Sequence, residues 1–448
     1  MLPSLTGARA VVVGAGKSGL AAARLLLRQG ARVTAVDRKP LAELAAAEAQ
    51  LKAMGGELIS GDLPDGAQLV VMSPGVPLHQ PGIERARAAG IPVIGEVELA
   101  YRLLEPRRPF IGITGTNGKS TTTALCGELL HRAGMRPFVG GNLGRPLCES
   151  PLSEERWSAH VVELSSFQLE GIKELRCSAA VVTNVTPDHL DRYASLSDYA
   201  AAKRRIFMNQ EAGDVAVVNA DDAIAVSLAP EGRGYGFTLH PDLPPGFLGG
   251  AVASPDGGFR FVSGGSFTLG NRALRGAHNL QNAMSAALLA SLSGVPDRAI
   301  QEGLDSYPGL PHRMEVVRTL DGVEWINDSK ATNVDSSVVA LRAFKGGVLL
   351  IAGGLGKGAP YAPLVDASRG KVKAVLTVGQ DAPAIESAYR KGFVVVSCAT
   401  LENAVAEARR RGRPGDVVLL SPACASYDQF KNFEDRGDTF KRLVGALS

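Results

Sequence analysis

The chain has 448 residues, of which 45% are hydrophobic and 21% charged, with a formal net charge of +3. That length exceeds what one core supports and predicts about three domains. The small net charge, without a long basic run, excludes nucleic acid as an expected partner. Five cysteines (Cys126, Cys148, Cys177, Cys398, Cys424) are scattered and form no Cys-x-x-Cys pair, so neither a disulfide framework nor a zinc site is expected. Met1 to Ala10 lacks the basic start and apolar stretch of a signal peptide, and no apolar run reaches membrane-span length. A cytosolic protein without a membrane span is expected.

The first domain, 1–105, opens with an expected strand, Ala10–Val13, then Gly14-Ala15-Gly16-Lys17-Ser18-Gly19 and an alanine- and leucine-rich helix. A second strand, Arg32–Val36, ends on Asp37. Gly-x-Gly-x-x-Gly between strand and helix, with an acid about 20 residues on, is the dinucleotide fingerprint. It places phosphates on the turn. A nicotinamide dinucleotide and a uridine diphosphate-sugar both offer a pyrophosphate and a ribose to it. Leu69–Met72, ending at Ser73, and Val93–Ile94 are further strands. Ligands of such sheets sit beyond the carboxyl ends of the strands, where Gly14, Asp37 and Ser73 fall.

The second domain, 106–310, is built around Gly112-Ile113-Thr114-Gly115-Thr116-Asn117-Gly118-Lys119-Ser120-Thr121. The apolar run Phe110–Ile113 precedes it, and Thr122–Ala133 follows with Leu125, Leu129 and Leu130 at helical spacing. Strand, glycine-rich turn and helix are what a phosphate loop needs, because converging N–H groups and a helix N-terminus attract phosphate oxygens. Lys119 would reach the β- and γ-phosphates and the Ser120 hydroxyl a Mg²⁺ ion. The general pattern has Gly where Ile113 stands, yet Gly-Lys-Ser-Thr opening an apolar helix is specific enough to predict a nucleoside triphosphate.

Further along, Gly140 to Gly144 precede the strand His160–Val162, which ends on Glu163, where a second Mg²⁺ ligand would lie. Ala179–Val182 leads into Thr183 to Arg192, crowded with Asp188, His189, Asp191 and Arg192. Polar residues at a strand end suit a site; His189 alone could be a packed histidine. Ser197–Phe207 is an expected helix in which Lys203 reads as a solvated charge. Residues 228–270 read as a hairpin appendage, and Asn279 and Asn282 share a face of the first turn of an alanine-rich helix.

The third domain, 311–448, alternates strands and helices: Val323–Ile326, Val348–Ala352, Ala374–Val378, Phe393–Val396 and Val417–Leu420. Parallel sheets with helices on both faces follow. Polar loops after three of these strands, at Asn327–Asn333, Gly353–Gly358 and Ser421–Asp428, mark where a ligand would bind. The fold class is α/β in three domains: a Rossmann-like parallel sheet, a phosphate-loop ATPase-like domain and a second Rossmann-like domain.

Gly-Thr-Asn-Gly-Lys-Ser-Thr, the run Asn184 to Tyr193, Gly276-Ala-His-Asn-Leu-Gln-Asn282 and Gly309-Leu-Pro-His-Arg313 resemble the Mur ligases, the ATP-dependent amino-acid ligases of peptidoglycan precursor synthesis. Val162 to Glu170, Asn327 to Asn333 and Ser421 to Gly437 look like the D-glutamate-adding branch, and the resemblance covers the whole chain. It implies that the first domain holds a UDP-sugar, UDP-N-acetylmuramoyl-L-alanine, through Ser18, Asp37, Arg38, Lys39, Ser73 and Asn142. Arg38 and Lys39 stand where the family has a small hydroxyl residue followed by Arg. It assigns ATP to Gly115, Thr116, Asn117, Gly118, Lys119, Ser120, Thr121, Asn279, Asn282, Arg313 and Asp328. D-Glutamate falls to Arg192, Thr332, Lys357, Ser426, Tyr427 and Phe433. Two Mg²⁺ ions fall to Ser120 and Glu163, and to His189 with Lys203 carried as a carbamate.

The implied chemistry activates a carboxylate as an acyl phosphate, which the amine of D-glutamate attacks. Lys119, Lys330, Arg192 and Mg²⁺ offset the repulsion among three anionic substrates. A monomer is expected, and closure about a hinge at Tyr307–His312 would exclude water. Other Mur-type or folylpolyglutamate-type ligases, adding a different amino acid, share the ATP core; a nicotinamide dehydrogenase would leave the phosphate loop unexplained.

Overall fold

The computed structural model describes residues 4–77, 80–189 and 192–448. Five strands, β1 (Arg9–Val13), β2 (Arg32–Asp37), β3 (Glu57–Ser60), β4 (Leu69–Met72) and β5 (Val93–Gly95), form a parallel sheet in the order 3-2-1-4-5. Their short Val-, Leu- and Ile-rich runs suit strands buried on both faces; every residue of β4 is buried. The order reverses direction beside β1, so the turns after β1 and β4 form the crevice where a ligand of such a sheet sits. The Ser73 hydroxyl ties the two turns together by donating to the carbonyl of Gly14 at 2.9 Å.

The central sheet has nine strands: β6 (Phe110–Thr114), β7 (Pro137–Gly141), β8 (Ala159–Glu163), β9 (Ala179–Val182), β10 (Val215–Asn219), β11 (Gly234–Thr238), β12 (Gly250–Ala253), β13 (Phe259–Phe261) and β14 (Ser266–Phe267). Their order is 14-13-12-11-10-9-6-8-7, parallel from β7 through β12 and antiparallel at β13 and β14. Two segments join this sheet, one of them against expectation. Gly140 and Gly141 end strand β7. Residues 228–270 are not an appendage, because β11 and β12 extend the parallel sheet and β13 and β14 finish it. Glycine-rich runs carry little strand signal of their own, and only pairing with β8 and β10 makes these segments strands.

A third sheet comprises β15 (Glu315–Leu320), β16 (Val323–Asn327), β17 (Val348–Gly353), β18 (Val372–Val378), β19 (Val395–Ala399) and β20 (Val417–Leu420), in the order 15-16-20-17-18-19. All but β15 run parallel. Buried apolar clusters line both of its faces, one around Leu350, Leu341 and Tyr389 and the other around Trp325, Ile351 and Phe440.

Three sheets occupy two compact units, one of residues 1–268 with 281–303 and one of 269–280 with 304–448. In the first unit a single apolar cluster runs from Val12 and Leu25 of the N-terminal sheet to Leu164 and Tyr199 of the central region. Glu98, on the helix Glu96–Arg102, strengthens that union by accepting from the backbone N–H groups of Lys173, Glu174 and Leu175 at 2.9, 2.8 and 3.0 Å. The expected hinge, Tyr307–His312, falls inside the second unit, where the Tyr307 carbonyl accepts from Asn271 at 2.8 Å.

Candidate active site

In the first unit, a cleft of about 580 Å³ opens at the carboxyl ends of β1, β2 and β4. Ser18, Asp37, Arg38, Ser73 and Asn142 line it. Asp37 accepts from the N–H of Ala15 at 2.9 Å and of Lys39 at 3.1 Å, so the acid orders the turn it faces. Lys39 is exposed and does not line the cleft, which removes the geometric support for assigning it there. Gln168, quoted in the sequence only as part of a motif, does line it, with a buried Nε2 that has no hydrogen-bond partner. Lys17 reaches across from the fingerprint to donate to the carbonyl of Gly144.

The phosphate loop follows β6. Gly118 takes φ 86° at the start of the helix Lys119–Arg132, and a Cβ there would stand 2.2 Å from Asn282 Oδ1. Only glycine suits both the left-handed conformation and that approach. Thr183 and Asn184, at the end of β9, hold Asn117 from beside it. The Asn184 carboxamide accepts from the Asn117 N–H at 2.8 Å, and the Thr183 hydroxyl donates to its carbonyl at 2.6 Å.

Lys119 curls back to donate to the carbonyls of Gly115 and Thr116, at 2.9 and 2.8 Å. Lys203, on the helix Leu196–Arg204, donates to the same Gly115 carbonyl at 2.8 Å and lies over the Tyr199 ring at 4.2 Å. Lys203 is 1% exposed, which overturns its reading as a solvated charge. Burial and the neighbouring Lys119 charge push its pKa well below the ordinary lysine value, opposed by Asp188 and Glu163.

Glu163 ends β8 and is buried. Its Oε1 accepts from Asn142 Nδ2 at 2.6 Å, while Oε2 is buried without a partner. An orphaned carboxylate oxygen beside a phosphate loop is costly unless a cation completes it. Among the described residues no group of three or more His, Cys, Asp or Glu is placed to hold a metal alone. That donor set still fits Mg²⁺, which uses one or two protein carboxylates together with phosphates and water. His189 adopts φ 53° with its ring edge-on to Phe167 at 4.9 Å. Arg192 lies over the same Phe167 ring, with its guanidinium 3.9 Å from the centroid, and donates to Glu170 at 2.8 Å. Asp191 lies outside the described residues.

In the second unit, three loops meet at neighbouring strand ends because β20 lies between β16 and β17. After β16 come Asp328, Lys330 and Thr332. Asp328 accepts from Ser421 Oγ at 2.9 Å and from the Met314 N–H at 3.2 Å, and burial raises its pKa to about 6. Arg313, whose charge opposes that rise, has a buried Nε without a hydrogen-bond partner. Lys330 lies 5.7 Å from the Phe433 ring. Lys357 is exposed on the loop after β17; Ser426 is buried and Tyr427 exposed after β20. Sequence reasoning passed over Arg436, which is fully buried and binds the carbonyls of Ser329, Cys424 and Ala425, pinning two of these loops. An arginine on a helix gives no such signal by itself. On the helix Ala277–Leu292, Asn279 donates to the Arg275 carbonyl at 3.0 Å.

The chain matches three family models in succession: the Mur ligase MurD-like N-terminal domain over residues 8–95, the Mur ligase middle domain over 113–290, and the Mur ligase glutamate ligase domain over 312–424. The chain is a Mur ligase. It is 59% identical, over the whole of both chains, to a Myxococcus xanthus protein named UDP-N-acetylmuramoylalanine–D-glutamate ligase. An Anaeromyxobacter dehalogenans protein of the same name is 54% identical over 99% of this chain and 98% of its own. Among solved structures, a UDP-N-acetylmuramate-alanine ligase from Thermotoga maritima covers 98% of this chain and 100% of its own, with a TM-score of 0.61 and 19% identity. A pseudomurein peptide ligase type C from Methanothermus fervidus covers 99% and 100%, with a TM-score of 0.59 and 20% identity. These two support the fold.

In this Mur ligase the middle-domain match takes in the phosphate loop, Glu163, His189 and Lys203. The glutamate ligase match takes in Arg313, Asp328, Lys330, Thr332 and Lys357 and ends at Cys424, just short of Ser426, Tyr427 and Phe433.

Proposed function

We propose that this Mur ligase forms the amide bond between UDP-N-acetylmuramoyl-L-alanine and D-glutamate, with ATP converted to ADP and phosphate. The observation that carries the reading is the grouping of Lys119, Lys203 and the unpaired Glu163 oxygen around one phosphate loop, on a chain 59% identical throughout to a relative named for that reaction.

A carboxylate is a poor electrophile. Phosphorylation of the alanyl carboxylate by the γ-phosphoryl group gives an acyl phosphate; the amine of D-glutamate attacks it, and phosphate leaves. Gly115 to Thr121 cradle the triphosphate, while Asn279, Asn282, Arg313 and Asp328 hold the adenosine. Lys119 and Lys330 offset the charge gathering on the transferred group. Ser18, Asp37, Arg38, Ser73 and Asn142 orient the UDP-sugar. Arg192, Thr332, Lys357, Ser426, Tyr427 and Phe433 bind D-glutamate.

Mg²⁺, when bound, supplies charge neutralisation and Lewis acidity at the phosphates. Ser120 and Glu163 would hold one ion, and His189 with a carbamylated Lys203 a second. Burial lowers the Lys203 pKa and so favours the amine form that carbamylation needs, in which Nζ adds to CO₂ and releases one proton. Domains at 1–105, 106–310 and 311–448, each with its own sheet, would divide the three substrates. The cytoplasm, with a monomer as working unit, is the setting this reading assigns. No described helix is long and apolar enough to cross a membrane.

The test is phosphate release from ATP with Mg²⁺ and UDP-N-acetylmuramoyl-L-alanine, comparing D-glutamate, L-glutamate, L-lysine and meso-diaminopimelate. Release with D-glutamate alone, abolished by Lys119→Ala, supports the reading. Release only with another amino acid overturns it.

A further inference from the structure

The loop Gly353–Gly358 is short of side chains that could fix it, yet it carries Lys357. Its backbone is bound to the segment after β20. The Leu355 N–H donates to the Ala425 carbonyl at 2.9 Å, and the Ala425 N–H donates back to Leu355 at 3.0 Å. Beneath that two-residue bridge lie Tyr361, Asp381 and Cys424. The Tyr361 hydroxyl donates to Asp381 Oδ2 and sits 3.1 Å from the buried Cys424 thiol. Burial and this bond both hold the phenol in its protonated, donating form. The Asp381 N–H donates to the Gly354 carbonyl at 2.9 Å. Its carboxylate packs so closely on Gly356 that a Cβ there would stand 2.2 Å from Oδ2. Asp381 therefore touches the residue before Lys357, and Tyr361 joins it to the residue two before Ser426.

We propose that Tyr361 and Asp381 are positioning residues for the amino-acid substrate: their hydrogen bond keeps the Lys357 loop seated on the Ser426 segment, so that ammonium and hydroxyl are presented together to a carboxylate of D-glutamate. This rests on the reading of Lys357 and Ser426 as D-glutamate ligands. The bond has a second effect. A carboxylate beside Gly356 that lacked its phenol donor would have an open oxygen one residue from Lys357, and the lysine that should meet the substrate would have a competing anion. The Tyr361 hydroxyl bonds to Asp381 and Cys424, within this pair of loops, so the effect is expected on one substrate.

Steady-state kinetics of Tyr361→Phe and Asp381→Asn test this, after wild type has been run with each amino acid. Losing a hydrogen bond to a charged group is expected to raise the KM for D-glutamate about 10-fold. The KM values for ATP and the UDP-sugar, and kcat, should stay within about 2-fold on the same ground. Because the two residues act through one bond, the double variant should be no worse than either single. Tyr389→Phe is the structural control. It removes another buried phenol bond of the same unit, to Ser368 Oγ at 2.8 Å, and should leave the KM for D-glutamate unchanged. An unchanged KM in Tyr361→Phe, or an equal rise in Tyr389→Phe, overturns the proposal. Wild-type turnover with a different amino acid overturns only the substrate reading, and the same comparison is then decided on that amino acid's KM. No turnover with any amino acid overturns both.

Discussion

Lys119 and Lys203 donate to one oxygen, the carbonyl of Gly115, at 2.9 and 2.8 Å. Two lysines on one acceptor are a repulsive arrangement unless anions or deprotonation relieve it. Two amines thus gather on one loop carbonyl, which suits the proposed site for a triphosphate and carboxylates.

Lys203→Met is expected to be more stable than wild type and inactive. The substitution removes a buried amine while the Gly115 carbonyl keeps its bond from Lys119. Replacing a buried ionisable group by an apolar side chain of similar shape is commonly neutral or favourable by about 1–4 kcal/mol. Thermal unfolding and D-glutamate-dependent phosphate release, measured on the same sample, check it. A variant that is less stable yet turns over normally would contradict both parts.

Glu163→Gln should lower turnover by about 100-fold or more, since a bound ion supplies several kcal/mol of charge stabilisation. Asn142→Ala, which frees Glu163 Oε1 from its 2.6 Å bond, should act more mildly, weakening Mg²⁺ by about 10-fold. Initial rates across a Mg²⁺ titration separate the two. Equal half-saturation in all three proteins would remove Glu163 from the metal site.

Gly118→Ala should destabilise the protein and weaken ATP binding. Two causes act together: a left-handed conformation, at about 1–2 kcal/mol for a residue with a Cβ, and the collision with Asn282 Oδ1. Adding Asn282→Ala should restore the part due to the collision and leave the conformational part. Strictly additive losses in unfolding free energy would show that the two residues do not meet.

Glu96 offers a pH prediction remote from the chemistry. Its carboxyl is buried, accepts from the Cys148 N–H at 2.7 Å, leaves Oε2 unpartnered, and has its pKa raised by burial to about 7. A raised folded pKa means that the folded state holds the proton more tightly. The stabilisation is complete below the ordinary glutamate value of 4.5 and is lost as pH rises through about 7. Glu96→Gln keeps an acceptor for Cys148 and cannot ionise. Relative to wild type it should gain about 1 kcal/mol between pH 6 and pH 8, with unchanged activity. Parallel stability curves across that range would refute it.

Much of this protein was legible in the chain. Apolar runs such as Leu69–Met72 and Val417–Leu420 are strands with the expected bounds, because a strand buried on both faces needs no partner-specific pattern to be recognised. Gly14 to Asp37 and Gly115 to Ser120 encode their strand-to-helix turns locally, since the glycines and the helix start lie side by side in sequence.

The rest was decided in three dimensions. Gly140 and Gly141 become strand through pairing with β8, and 234–253 become sheet through β10; such pairing is set by segments far away in the chain. Lys203 looks like any helix lysine until Gly115, Tyr199 and the central core enclose it. Arg436, Tyr361 and Asp381 acquire their partners only when β20 settles between β16 and β17. Periodicity and turn chemistry are short-range and can be read from neighbours. Burial, and the displaced proton affinities that follow from it, are properties of what the fold packs around a side chain.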